Sequence, residues 1–520
     1  MFPLKIGSSE QFQTLRQFLF ESGYTEQAVC RRLKIPSIYD FKTLREGRAG
    51  DRAIKDTLDA LIRLLMDEEP VESSALAPHL TPGALRVMAE LGIVKPVSKD
   101  SDSTNQAQLQ AEAVLYPQEG LFIASDHAFR AAEGPDASLP DDVVYASITK
   151  NTGRFISILP SEPCETFLEL CAGTGIAALI AGVRYAKKAW AADLSDRCTH
   201  FAEFNKLLNG IENVTAVQSD LYAAVEGLRF DRIAAHPPYI PASEQKLMFR
   251  DGGEDGEQIL RGVVQGLPRF LNPGGLFYAL TLATDRENET FEQRIRRWLG
   301  EAQDEFDLFL VLNSSDKRPD SILKAVAEAK GKLGDLGPRT KLYDQLKVKT
   351  VLYGVVVLER RERAGNPITG RCLKAENAGS ETVEWFRNWQ ISTAREGFDR
   401  ELLAARPHPP SGFRLIVSHA WQDGELLPRE FRLRCEYPLS NDARAEPWVA
   451  VLVGACNGSQ TVAEIYQQLK AQDVIAAEMS ESEFCKMIKV LVGGGFLEVP
   501  EYPLPVAERK QEAATAAAVN

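Results

Sequence analysis

A chain of 520 residues is too long for one compact core and implies two to four domains. With 44% hydrophobic and 26% charged residues it reads as an ordinary globular protein, and no run approaches the roughly 18 apolar residues of a membrane span. The net charge of −13 leans against tight general binding to a phosphate backbone, while leaving room for a local basic patch on a folded RNA. The eight cysteines are scattered without a C-x-x-C pair and the six histidines are dispersed. This argues against a zinc cluster, another metal site or a disulfide framework, and fits a reducing cytoplasm. The start, MFPLKIGSSEQF, lacks an apolar core followed by a small-residue cleavage site, so a cytoplasmic protein is expected.

In chain order, residues 1 to about 94 carry helical spacing, as in Phe12, Leu15, Phe18 and Leu19 and again in Leu58, Leu61, Ile62, Leu64 and Leu65. Thr81-Pro82 predicts a helix start and Gly92 its end. The polar run Lys95 to Gln108 predicts a loop. Ala113–Tyr116 and Leu121–Ile123, around Pro117-Gln118-Glu119-Gly120, predict a small hairpin. Ala132 to Asp142 is a Gly/Pro/Asp-rich connector that closes a helical N-terminal domain over 1–142.

Over 143–361 strands alternate with helices, the mark of a largely parallel sheet covered on both faces. The predicted strands are Thr166–Leu170, Ala189–Ala192, Val214–Gln218, Phe230–Ala235, Gly275–Thr281, Phe306–Leu312 and Val351–Leu358. Helices are predicted over Ser195–Asn209 and Glu257–Leu271, and Asp316 to Lys347 reads as a charged helical insertion. Residues 362 to 380 read as a linker. A last α+β domain over 381–505 starts two helices with the capping boxes Thr461…Glu464 and Ser480…Glu483, followed by a strand over Phe496–Val499. That order suggests a winged-helix-like unit, whose acidic last helix suits protein contact or packing better than DNA. The tail Lys510–Asn520 is expected to be disordered.

The chemistry sits at the ends of the central strands. Cys171, Gly173, Thr174 and Gly175 form a strand-to-helix turn in which glycines permit close approach of a ligand. Glu169 just ahead of the turn would repel a pyrophosphate and suits a ligand bearing an amino group. Asp193 closes the second strand, where a carboxylate can accept both hydroxyls of a ribose. Asp220 and Leu221 close the third, where they can offer an acceptor to an adenine amine and an amide to its ring. His236-Pro237-Pro238-Tyr239 closes the fourth: the prolines stiffen a loop whose carbonyls can orient an NH2 group, and the tyrosine can pack on a planar target. The loop Phe249 to Gly256 that follows reads either as a mobile cover or as a solvated loop.

This ordered set resembles the class I S-adenosylmethionine-dependent methyltransferases over about 143–361. His236-Pro237-Pro238-Tyr239-Ile240-Pro241 resembles the N-P-P-Y-I-P motif of their small-domain group, which includes protein-glutamine N5 and rRNA or tRNA N-methyltransferases. The resemblance implies a Rossmann-like seven-stranded mostly parallel sheet, flanked by the helical N-terminal and small winged-helix-like C-terminal domains. It implies S-adenosylmethionine as cofactor, with Glu169, Cys171, Gly173, Thr174 and Gly175 around its methionine part. Asp193 would hold the ribose and Asp220 with Leu221 the adenine. Histidine stands where asparagine or aspartate is usual, so His236 would act as a neutral acceptor or, with a pKa near the working pH, as a base.

The expected activity is N-methylation of a macromolecule. A protein amide or amine is favoured over a structured RNA base by the acidic balance; Arg250, Lys246 and Lys324 clustering near Tyr239 would favour RNA. A small-molecule methyltransferase, or a degenerate fold used as a binding module, is the alternative. The oligomeric state and the methylated atom are not legible.

Overall fold

The computed structural model describes residues 2–41, 53–67, 69–97, 108–126, 140–242, 247–316 and 336–506. Most of the Lys95–Gln108 and Ala132–Asp142 connectors, much of the 316–347 insertion, Lys246, Lys324 and the C-terminal tail lie outside the described residues. The chain divides into two compact units: Met1–Gln303 with Asp320–Val348 and Glu359–Arg363, and Asp304–Pro319 with Lys349–Leu358 and Ala364–Asn520.

In the first unit, helices α1 (Ser9–Glu21), α2 (Glu26–Leu33), α3 (Thr57–Leu65) and α4 (Pro82–Glu90) precede a small antiparallel sheet. That sheet consists of β1 (Val71–Glu72), β2 (Val94–Val97) and β3 (Gln108–Ala111). Thr81 caps α4 with Pro82 in its first turn, as its sequence requires. The hairpin forms as β4 (Val114–Gln118) and β5 (Leu121–Ser125). Helix α5 (Lys150–Ser157) then leads into the main sheet.

The main sheet has eight strands in the order β13-β11-β12-β10-β9-β6-β7-β8. One half of it consists of β6 (Cys164–Leu170), β7 (Ala186–Asp193), the edge strand β8 (Val214–Gln218), β9 (Phe230–Ala235) and β10 (Leu271–Arg286). Each pairs in parallel with its neighbour, so the crossovers are helical: α6 (Ile176–Arg184), α7 (Asp196–Asn209) and α8 (Gln258–Phe270). After β6 the chain moves outward to β7 and β8, then returns to the other side of β6 for β9 and β10. The order therefore reverses at β6, and such a reversal opens a crevice at the carboxyl ends of the strands. Register keeps those ends level: Leu170 lies opposite both Ala192 and Ala235, and Ala192 opposite Val217. Residues that follow these four positions are thus delivered to one edge.

The sheet continues with β11 (Phe306–Asp316), β12 (Val348–Arg360) and β13 (Thr369–Leu373), the last parallel to β11. β13 occupies the stretch that composition marks as a linker and makes the strand count eight rather than seven. Its sequence, TGRCL, alternates exposed and buried positions but carries a glycine and an arginine, so its strand signal is weak.

In the second unit, both expected capping boxes are present at α-helices Val462–Ala471 and Glu481–Gly493. A three-stranded antiparallel sheet (Arg414–Gln422, Glu425–Cys435 and Asn441–Ala445) precedes them and was not foreseen. Phe496–Val499 forms no strand; it makes only isolated bridges from Glu498 to His408 and from Val499 to Tyr502.

The hairpin is tied to the sheet layer by an unusual use of asparagine. The edge backbone of β5 is paired by side chains rather than by another strand. Asn205 accepts from Ala124 N at 2.7 Å and donates to Ala124 O at 3.0 Å. Asn209 accepts from Phe122 N at 2.9 Å and donates to Phe122 O at 2.7 Å. Residues four apart on a helix share a face at about 6 Å spacing, close to the two-residue repeat of an extended strand. Asn205 also donates to Thr174 O at 3.1 Å, so the hairpin and the turn after β6 share one buried amide. Asn205→Ala would leave three backbone groups without partners. We expect it to lower the unfolding free energy in urea by about 3 kcal/mol. Asn209→Ala, at a half-exposed position, should cost about 1 kcal/mol; equal effects would contradict this account.

Candidate functional site

A cavity of about 720 Å³ opens at the carboxyl edge of β6, β7, β8 and β9. It collects Glu169, Cys171, Gly173 and Thr174 after β6, Asp193 after β7, and Asp220 and Leu221 after β8. His236, Pro237, Pro238 and Tyr239 line it after β9. Of the sequence-predicted residues only Gly175 does not line it.

Gly175 acts beneath the cavity. Its φ is +76°, and a Cβ there would stand 3.0 Å from the Cβ of Ala202 on α7. Both facts demand glycine. Cys171 and Gly173 also adopt positive φ, +55° and +54°. At Gly173 no atom lies within 4 Å of where a Cβ would be, so its backbone faces open space.

The turn is fastened from β7. Asp193 accepts from Gly173 N at 2.8 Å with one oxygen and from Ser195 N at 3.0 Å with the other. Burial raises the pKa of Asp193, and these two amides oppose the shift. A carboxylate offers about four acceptor directions, so further donors can still be received. Glu169 is buried, and one of its oxygens accepts from Ala178 N at 2.7 Å. Burial pushes its pKa up to about 8; the amides of Ala178 and Ala177 pull against that rise and the charge of Asp193 adds to it.

After β8, Ser219 shapes the turn. Its hydroxyl donates to Leu221 O at 2.7 Å and accepts from Ala224 N at 2.9 Å, while Leu221 holds φ +49°. Asp220 is exposed at the cavity edge.

His236 lies between the rings of Phe155, at 5.3 Å, and Tyr239, at 5.8 Å and 29° from parallel. Burial lowers its pKa to about 4, so its imidazole is neutral through the physiological range. The expectation of a base with a pKa near the working pH is therefore corrected: desolvation without a nearby carboxylate removes the charged form. The carbonyls of Pro237 and Pro238 accept no hydrogen bond among the described residues.

The loop after the proline motif packs against it, with Asp251, Gly252 and Gly256 buried and Glu254 exposed. Ile240 N donates to Arg250 O and Gly252 N to Ile240 O, each at 2.9 Å. A Cβ on Gly252 would meet Pro238 O at 2.6 Å, and one on Gly256 would meet Tyr239 O at 2.7 Å. The two glycines let backbone pack directly on backbone, so the loop buttresses the proline motif. Arg250 is held by the buried carboxylate of Asp251 at 2.7 Å.

Among the further cavity residues, Tyr39, Tyr145 and Asn151 escaped the sequence. Tyr39 arrives from the helical N-terminal region, and its ring lies against Gly153 of α5. Tyr145 and Phe249 stack at 4.7 Å, and Asn151 donates to the Tyr239 hydroxyl at 2.9 Å. Phe249 opens the loop that the sequence singled out. Among the described residues no helix is long and apolar enough to cross a membrane.

The family model described as methyltransferase small domain matches residues 144–303. A protein of Methanocaldococcus jannaschii, provisionally named a protein N5-glutamine methyltransferase, is 35% identical over 132 residues, 24% of this chain and 66% of its own. The ribosomal protein uL3 glutamine methyltransferase of Bradyrhizobium diazoefficiens is 30% identical over 161 residues, 28% of this chain and 50% of its own. The release factor glutamine methyltransferase of Moorella thermoacetica is 32% identical over 140 residues, 24% of this chain and 49% of its own. The chain thus spans from about half to about two thirds of the length of these relatives.

Glu169 makes the site pH-sensitive. Its folded pKa stands above the value of about 4.3 of a free glutamate. Its neutral form is therefore favoured by the fold, and stability is lost as pH rises toward 8. Glu169→Gln should melt above wild type at pH 8, with the difference shrinking toward pH 5; a constant difference in thermal scans would refute the assignment.

Proposed function

We propose, from the match of residues 144–303 to the methyltransferase small domain model and the names of the similar proteins, that this protein is an S-adenosylmethionine-dependent enzyme that methylates the side-chain amide nitrogen of a glutamine in a protein. The observation that carries the reading is the convergence on one cavity of the Glu169, Asp193 and Asp220 carboxylates with the His236–Tyr239 loop. The amide target follows the names of the relatives, which are glutamine methyltransferases.

The residues present fit the cofactor. Glu169 is a buried carboxyl with an elevated pKa, as expected of a group whose natural counter-charge is an ammonium. Asp193 is held with acceptor capacity to spare for ribose hydroxyls. Asp220 and Leu221 stand at the far side for an adenine edge. S-adenosylmethionine, when bound, supplies a methyl on a sulfonium, an electrophile needing no activation by the protein.

The protein's task is then positioning. The uncommitted carbonyl of Pro237 is suited to accept one N–H of the target amide; Pro238 O is covered by Gly252. Tyr239 offers its face to the planar amide, and neutral His236 offers an acceptor nitrogen. Once the new N–C bond forms, the amide nitrogen becomes far more acidic than an imidazolium. A weakly basic His236 therefore suffices to receive the departing proton.

Purified protein, methyl-labelled cofactor and an extract lacking this chain test the reading. Label lost to protease and kept through ribonuclease is the expected result; the reverse would make an RNA base the target and overturn the amide. In calorimetry Asp193→Ala should weaken S-adenosylmethionine binding on the order of 10- to 100-fold, the loss of one to two hydrogen bonds to a charged group. His236→Asn should retain transfer, and His236→Ala should lose about 100-fold.

A further inference from the structure

Tyr239 is held by a side chain outside the proline motif. We infer that Asn151, on the first turn of α5, is the positioning residue that fixes the tilt of the Tyr239 ring against the target group. The inference rests on the methyltransferase reading and deepens it.

The bond's direction follows from chemistry. Arg154 donates from Nη1 to Asn151 at 3.1 Å. A guanidinium has no acceptor, so the atom facing it must be the carbonyl oxygen of Asn151. The NH2 of Asn151 therefore faces Tyr239 and donates to its hydroxyl oxygen at 2.9 Å. The far end of the ring is anchored by Asn151, while its plane lies 29° from that of His236. Removing the anchor takes away one restraint on the ring's swing about its first torsion.

The helix bearing Asn151 is itself clamped. Lys150 pairs with Asp40 at 3.1 Å, and a Cβ on Gly153 would stand 2.9 Å from the Tyr39 ring. The Tyr39 hydroxyl donates to Glu119 at 3.2 Å and accepts from Gln118 at 3.3 Å. Residues 38–40 and the hairpin thus set the place of α5, and α5 sets Tyr239 through Asn151. Nothing in the proline motif announces this link.

The experiment is a double-mutant cycle of Asn151→Leu, which keeps the branched heavy-atom skeleton but has no hydrogen-bond donor, with Tyr239→Phe, read on full-length protein. The first readout is the rate of methyl incorporation into the protein fraction of the extract at saturating S-adenosylmethionine. Each single variant should lose on the order of 10- to 100-fold, as expected of a small misplacement, with cofactor affinity within about twofold of wild type. The double variant should be no slower than the slower single one. Multiplying losses, or a parallel loss of cofactor affinity, would overturn the inference. Asn151→Ser serves in place of Asn151→Leu if the latter does not fold, with the same expectation. Urea unfolding of the four proteins is the second readout. Non-additive stability supports the bond, and additive stability overturns the inference whatever the rates. Wild type that transfers no methyl while showing coupled stability would sink the methyltransferase reading, and the catalytic role with it.

Discussion

The site depends on one short hydrogen bond, from the Gly173 amide to the Asp193 carboxylate at 2.8 Å. It joins the ends of two parallel strands that otherwise diverge into separate helices. The turn it fastens contains three residues with positive φ, a conformation without regular backbone partners. Asp193 supplies the missing partner, and Ser195 N returns the favour by fixing the second carboxylate oxygen. Gly175 completes the arrangement by letting α6 start against Ala202. A side chain at Gly175 would press on Ala202 and disturb the start of α6.

On that floor the four strand ends carry unlike chemistry. A buried acid, a fastened acid and an exposed acid stand on one side; a neutral imidazole and two prolines stand on the other. Burial explains the contrast. The same desolvation that raises Glu169 toward pH 8 lowers His236 toward pH 4, since it disfavours whichever form is charged. Burial thus favours the neutral form of both groups, the acid at one strand end and the imidazole at another.

The strands β6, β7 and β9 were legible because each ends in a buried, largely apolar run, while the half-exposed edge strand β8 shows itself by its valines. Val214–Gln218 and Phe230–Ala235 match their observed bounds, and Ser195 caps its helix as its sequence suggests. The acids and the proline motif were legible because each closes such a run. What failed is equally physical. β13 is short and polar, and the strands Arg414–Gln422 and Glu425–Cys435 are exposed along much of both faces, so neither alternation nor an apolar run marks them. Asn151 and Tyr39 carry no motif; their importance comes from contacts with residues 88 positions away and from the cavity wall. The imidazole's pKa was misjudged because desolvation is a property of the packed site, not of the residue.

Tyr39 carries a consequence for how such a protein can diversify. The matched family segment starts at residue 144, yet one wall of the cavity comes from a residue more than a hundred positions earlier. The strand-end floor and this part of the outer wall therefore come from separate stretches of the chain. Exchange of the leading segment by recombination would replace the wall while sparing the strand ends. Such an exchange would change what the cavity admits from outside while leaving the residues at the strand ends as they are.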